Sequence, residues 1–463
     1  MRLEDGRLVG SGKRFDVRIH ALTRKTPAHS EWIKMIERQA AKPLDVRSDW
    51  KRHCKWWSDF WNRGWIVAND NTIPEEDRDQ VGHEGYQPGR EAKDKGALVS
   101  QSYNVFRYMM ACQSRGAIQV KFNGGIFTQP LRIAEQDLKR ANMLCFDQGD
   151  GFWISHEDDR NWARRFTFQN QRLLYWPLLM SGDTDLMEVF FEHYWNLLPI
   201  RKAITKAWFE HEGAYFRENI ALTGGEQDCQ KRSNPKEAKP LKTPPGGNDG
   251  SGYYHSYYFT SGIETVAMMI EYVRYTGDEA FRDEILVPFA REILLFFDKH
   301  YTRDEEGKLL IDPGMVLETW WIAVNPAPDI SGLLHCLDAL LAMDVGTGAD
   351  KREWRRFRSE IPEVHLHEID GRTAIAPAKT WDHKANSENG LLYPVFPFRR
   401  FGIGMGSREI VEWTMKHRTN PDRNRCRCWT QDQIHWAYAG NAAEAQKGLI
   451  LRFSDASPEC RFP

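Results

Sequence analysis

Four short joints, each a glycine beside an Asp or Asn and each set between two apolar-periodic segments, constrain this chain more than any other feature. They are Ser181-Gly182-Asp183, Thr276-Gly277-Asp278, Gly346-Thr347-Gly348-Ala349-Asp350 and Ala439-Gly440-Asn441. Glycine enters the left-handed region that ends one helix, and Asp or Asn accepts a hydrogen bond from the first turn of the next. Such joints predict antiparallel helical hairpins. Apolar periodicity from Ala97 to Phe453 predicts roughly ten to twelve helices, with strand-like interruptions at 118–127, 304–311 and 364–376. The hairpins are unevenly spaced, which argues against a regular solenoid. A closed ring of paired helices buries every apolar stripe and leaves a central cleft, so the expected fold is mainly α, an (α/α)6 toroid.

Upstream the pattern changes. Residues 2–23 alternate apolar and polar around Asp5-Gly6 and Gly10-Ser11-Gly12, a β signature. So short a stretch cannot bury a sheet alone; it either packs on the next domain or is the remnant of a larger β domain. Ser48 and Asp49 are expected to cap a helix carrying Trp50, Trp57, Phe60, Trp61 and Ile66, an aromatic packing strut. Residues 69–96 read as a polar, exposed loop. The expected division is 1–45 for the partial β region, 46–96 for the linker helix and loop, and 97–463 for the helical domain. Within that domain, 226–250 is rich in Lys, Pro, Gly and Asn, and Lys239 to Gly247 cannot be helical. A loop of that length is either mobile or part of a binding rim.

Charge narrows the partners. Across 463 residues, 63 Lys and Arg face 65 Asp and Glu, a formal charge of −2 that offers no attraction to nucleic acid or an anionic membrane. No run reaches ~18 apolar residues, and Met1-Arg2-Leu3-Glu4-Asp5-Gly6 has no apolar signal core. The eight cysteines are scattered, with only Cys426 and Cys428 close, a poor zinc spacing, so they read as mostly buried thiols. No metal or cofactor is expected. The 18 Trp suit stacking on sugar rings as well as packing between helices.

Phosphate loops, zinc-protease helices and nucleophile-elbow serines do not occur. Three segments hold carboxylates, amides and indoles beside Gly or Pro turns that would set them at helix ends. In the first, Lys121-Phe122-Asn123-Gly124-Gly125-Ile126-Phe127 pairs with Phe168-Gln169-Asn170-Gln171-Arg172, where Asn123 and Asn170 can position a water or cap a helix. The second runs from Leu309 to Trp321. There Glu318 lies between apolar residues and the indoles of Trp320 and Trp321, so desolvation should raise its pKa as a general acid requires. An exposed first-turn Glu is the plainer alternative. The third joins Cys428-Trp429-Thr430-Gln431-Asp432 to Ser387-Glu388-Asn389, where Asp432 and Glu388 serve as base, hydroxyl ligand or ordinary cap. His211-Glu212-Gly213 and the tyrosine-flanked His255 are further candidates, the latter fitting a lyase base or a packed core histidine.

These segments, in this order, resemble glycoside hydrolase family 95. Phe106-Arg107-Tyr108 through Asn123-Gly124-Gly125-Ile126-Phe127 is similar to the opening of that family's toroid, Asn170 to Pro177 to its Asn-rich stretch, Pro313 to Glu318 to its acid segment, and Trp429 to Ala445 to its late hairpin. Closer still is the resemblance to the DUF5703 proteins, which share Lys-Phe-Asn-Gly-Gly-Ile-Phe, His-Glu-Gly-Ala, Leu-Glu-Thr-Trp-Trp, Val-Asn-Pro-Ala-Pro and Trp-x-Gln-Asp. It covers about residues 50 to 463. The resemblance implies an inverting, exo-acting glycosidase with a β-sandwich ahead of the toroid, removing a terminal α-linked L-fucose or L-galactose from plant or host glycans outside the cytoplasm. Glu318 then takes the acid role, Asn170 one water-holding amide, and Arg172, His211, Glu212, Trp321, Glu388 and Trp429 join Asn123 around an oligosaccharide or polysaccharide. The second family amide falls at Phe168, and the family's base lies beyond the last residue here, which leaves Asp432 as fallback and suggests a chain cut at both ends. A glycan-binding toroid without catalysis and a polysaccharide lyase are the alternatives.

Overall fold

The computed structural model of the chain is mainly helical. It describes residues 17–77, 94–120, 166–225, 257–419 and 430–454, apart from 25, 44 and 387, together with Lys13 and the strand segments 2–4, 7–9, 132–134, 145–147 and 152–155. The helices are α1 His29–Ala40, α2 Val46–Arg63, α3 Lys95–Gln113, α4 Phe168–Ser181, α5 Glu188–Phe209, α6 Thr260–Thr276, the single turn α7 Glu279–Phe281, α8 Val287–His300, α9 Ala327–Ala342, α10 Gly348–Glu360, α11 Arg408–Lys416, α12 Asp432–Tyr438 and α13 Ala442–Ser454. None is long and apolar enough to cross a membrane among the described residues.

The four glycine joints behave as the spacing predicts. Gly182, Gly277, Gly346 and Gly440 have φ of 72°, 70°, 81° and 76°. Asp278 accepts from the Phe281 amide and Asn441 from the Glu444 amide, while Thr347 and Asp350 cap α10 reciprocally. Asp183 departs from this role. Its carboxylate receives Arg107 Nε at 2.6 Å and Nη2 at 2.8 Å, a fully buried pair that ties α3 to the α4–α5 joint. A second difference lies at α2, where Asp45, not Ser48 or Asp49, is the cap; its Oδ1 accepts from the Ser48 amide, so the helix begins three residues earlier. The aromatic strut forms in part: Phe60 is buried and Trp57 and Trp61 pack against the core, whereas Trp50 is exposed and Ile66 lies exposed beyond the helix end at Arg63.

Helix α6 is the structural axis. Every residue from Thr260 to Val273 is buried, and α4, α8 and α9 pack around it. At the α6–α9 crossing Gly332 leaves so little room that a Cβ there would stand 2.5 Å from Ile263 Cγ2. Beyond α9 the chain pairs α9 with α10, then α11 with α12 and α12 with α13, and α13 returns to pack on α3. One apolar cluster runs through these helices.

Strands are short and local. Thr302–Arg303 pairs with Leu309–Leu310, and Leu366–Ile369 with Arg372–Ile375, where the sequence predicts interruptions. Residues 118–120 form no strand, and the rest of that predicted segment lies outside the described residues. Arg2–Glu4 pairs with Arg7–Val9. Three antiparallel strands, Gly314–Val316, Trp320–Ala323 and His383–Lys384, form the small sheet that positions the candidate site. The expectation of mostly buried thiols fails among the described cysteines: Cys54 is exposed on α2, Cys112 is intermediate and only Cys336 is buried. Asn123, Trp429, His255 and the 226–250 loop lie outside the described residues.

Candidate active site

Glu318 sits in the tight turn between Gly314–Val316 and Trp320–Ala323, not at a helix end as the sequence suggested. The Thr319 amide donates to the Val316 carbonyl at 3.2 Å, and Leu317 takes φ 50° to make the reversal. Val316, Trp320 and Trp321 favour extended backbone, which explains the hairpin, while Ile322 takes φ 50° within its second strand. Trp321 Nε1 donates to the Glu318 carbonyl at 2.8 Å and pins the turn from one side. The Glu318 side chain keeps partial exposure while protein surrounds most of it. Its carboxyl is raised from an ordinary 4.5 to about 7, first by loss of hydration and then by the neighbouring charge of Glu388.

Asn386 joins the two acids. Its Nδ2 donates to Glu318 Oε2 at 3.1 Å and to Glu388 Oε1 at 2.8 Å. The Thr319 hydroxyl donates to the other Glu388 oxygen. Asn386 is exposed and Glu388 buried, so the pair spans the boundary between solvent and core. Burial raises the Glu388 carboxyl too, opposed by its hydrogen bonds to Thr319 and Gln169.

A third carboxylate, Glu218, approaches from behind. The preceding backbone turns into the short pairing of Asn219–Ile220 with Phe166–Thr167, and Glu218 Oε1 accepts the Gln169 amide of the first turn of α4 at 2.9 Å. Glu218 is 1% exposed. Desolvation and then the charge of Glu318 push its carboxyl well up, while the Gln169 amide, Tyr258 and Arg172 pull the other way.

Below these acids lies a buried polar floor. Arg172 on α4 donates to Glu264 Oε1 on α6 at 2.8 Å and to Gln431 Oε1 at 3.0 Å, and its guanidinium lies 4.6 Å from the centre of the Tyr393 ring. Trp176 Nε1 donates to the same Glu264 oxygen at 2.8 Å. Buried atoms in this region nevertheless lack a hydrogen-bond partner: Gln169 Oε1, Glu264 Oε2, Arg172 Nε and the Tyr393 hydroxyl. Buried polar groups are rarely left unpaired, so such a dense set of donors and acceptors marks a place for a hydroxyl-rich ligand or ordered water.

The remaining candidates are placed as follows. Asn170 is half-buried beside Gln169 in the first turn of α4. Asp432 begins α12 and its Oδ2 receives Arg418 Nε at 2.9 Å and Nη2 at 2.8 Å, a structural ion pair. His211 Nδ1 donates to the Glu212 carbonyl at 2.7 Å, and its Nε2 meets His300 Nδ1 at 3.1 Å among the rings of Phe209 and Phe296. Glu212 is exposed. Glu218 was missed from sequence, although a signal exists: Phe216, Glu218 and Ile220 alternate, which puts an acid on an apolar strand face. Among the described residues no cluster of three or more His, Cys, Asp or Glu is arranged to hold a metal.

The N-terminal domain of the DUF5703 family, a domain of unknown function, matches residues 9–66. No curated protein matches the sequence. Among solved structures the chain is similar to a Glu-to-Ala variant of a glycosidase in complex with glucose, at 12% identity over 78% of this chain and 85% of that one, with a TM-score of 0.45. It is also similar to a Phe-to-Tyr glycosidase variant, at 11% identity over 80% and 86% of the two chains, with a TM-score of 0.47. These values describe a loose likeness of form.

Proposed function

We propose that the chain is a glycoside hydrolase on an (α/α)6 toroid, in which Glu318 protonates the departing glycosidic oxygen. The observation that carries this reading is one partly exposed carboxyl, raised to about 7, linked through a single amide to a second carboxyl and backed by a third. A general acid works best with a pKa near the working pH. Negative charge on Glu388 favours the protonated form of Glu318.

In this reading the three acids have different duties. The two bonds to Asn386, laid end to end, put Glu318 Oε2 and Glu388 Oε1 within about 6 Å, short of the ~6.5–9.5 Å that leaves room for water between the carboxyls of an inverting pair. Glu388 is therefore the tuning carboxylate, and the burial that favours the protonated form of Glu218 sets that acid apart from the role of base. The unpaired atoms of Tyr393, Glu264 and Gln169 supply donors and acceptors for sugar hydroxyls. The resemblance of the Glu318 and Asn170 segments supports exo-cleavage of a terminal α-linked L-sugar, L-fucose or L-galactose, by a periplasmic or extracellular protein.

A panel of aryl α-glycosides that includes the L-fucoside and L-galactoside tests the reading. The expected result is sugar release by the wild type, with kcat reduced about 10²–10⁴-fold in Glu318→Gln. Undiminished release by that variant, or none from any glycoside, would overturn it.

A further inference from the structure

On the far side of the small sheet from Trp321 lies an open cleft of ≈ 110 Å³. Strand pairing sets Trp320 opposite Lys384 and Trp321 opposite His383, so alternation sends the first pair to one face and the second to the other. Trp321 and His383 meet on their own face, with ring centres 5.1 Å apart. Trp320 and Lys384 instead line the cleft, with Trp381, His367, His417 and Thr419 among the other walls.

The chemistry of those walls is one-sided. The cleft holds a lysine and two histidines, and among the described residues no Asp or Glu lines it, although the charge of Glu368 reaches His367 from outside. Lys384 Nζ lies 5.3 Å from the centre of the Trp320 ring and pairs with no carboxylate among the described residues. His367 Nε2 and Thr419 Oγ1 are buried without a hydrogen-bond partner. His417 is partly engaged, its Nδ1 with the Trp413 carbonyl at 2.8 Å and its Nε2 3.6 Å from Asp370 Oδ2. Trp381, 39% exposed, offers an indole at the mouth.

We propose that this cleft is an anion-recognising subsite that takes the carboxylate of an acidic sugar, bound by Lys384, His367 and Thr419, with the sugar ring against Trp381. An ammonium, an imidazole N–H and a hydroxyl supply donors for carboxylate oxygens, and an exposed indole suits the apolar face of a pyranose. Sequence links the subsite to the acids: Thr319 precedes Trp320 and holds Glu388, and Asn386 follows Lys384 by two residues. Binding in this cleft is independent of which bond Glu318 cleaves.

Calorimetric titration of the full chain with glucuronate, glucose, acetate and inorganic phosphate tests it. Glucuronate should bind at least about tenfold more tightly than glucose or either small anion, the ratio expected from one charge-assisted contact with a ring contact added. Lys384→Met should lose at least about tenfold of that affinity and His367→Gln a smaller factor, while Glu318→Gln binds as the wild type does. Equal binding of glucose, or full affinity in Lys384→Met, would remove the anion recognition. Acetate or phosphate binding as tightly as glucuronate would make it a site for simple anions and overturn the sugar assignment. Loss of binding in Glu318→Gln would move the ligand to the acid cluster and overturn the separate subsite.

Discussion

At Glu318 two effects act in the same direction. Burial removes hydration that a carboxylate needs, and Glu388 adds a like charge, so the proton stays on until about pH 7. A carboxyl raised in the folded state stabilises it fully below the unfolded value near 4.5, and that contribution is lost as pH climbs through about 7. Between about pH 4.5 and 7 the wild type should therefore lose up to about 3 kcal/mol relative to Glu318→Gln, read as the difference of their denaturation midpoints against pH. Parallel curves would contradict it. Glu318 was legible because a charge amid Leu317, Trp320 and Trp321 stands out against its neighbours. Glu218 left only the faint signal of its alternation with Phe216 and Ile220, because its partners Gln169 and Glu318 come from distant segments and an acid between Arg217 and Asn219 reads as surface.

Elements show the same division between local and distant causes. The joint ahead of α10 was readable because a capping box is local, and Thr347→Ala should cost about 1 kcal/mol, seen as a lower Tm with glycoside turnover unchanged. Gly332 carried no comparable signal. Its need for a bare Cα arises where α9 crosses α6, because an added Cβ would meet Ile263 Cγ2 at 2.5 Å and Phe398 Cζ at 2.8 Å. Gly332→Ala should then cost about 1–3 kcal/mol by chemical denaturation, in spite of alanine's better helix propensity; a gain in stability would show that the crossing yields. The start of α2 was misplaced because Ser48 and Asp49 are both good caps, and only the backbone beyond Asp45 decides between candidates.

For the whole molecule the controlling feature is the polar floor joining α4, α6 and the residue before α12. Arg172, Glu264, Trp176 and Gln431 are all buried, and they are far apart in sequence. Removing one partner strands a charge, so Arg172→Met should cost about 3–5 kcal/mol, whereas Arg172→Met combined with Glu264→Leu should recover much of it. Additive losses in the double variant would show that the pair does not act as a unit. A mainly helical architecture was legible from four glycine joints, since each joint is a local event. Which helices become neighbours was not, because α13 on α3 and α6 on α9 are contacts between faces that no short motif encodes.

Central to the proposed chemistry is a carboxyl that keeps its proton near neutrality, and that property can be read without a substrate. The infrared difference spectrum between the wild-type chain and Glu318→Gln, followed from pH 4 to 9, isolates the C=O stretch of this one acid. The predicted result is a band that disappears with a midpoint of about 7. A midpoint in the ordinary range near 4.5 would contradict it.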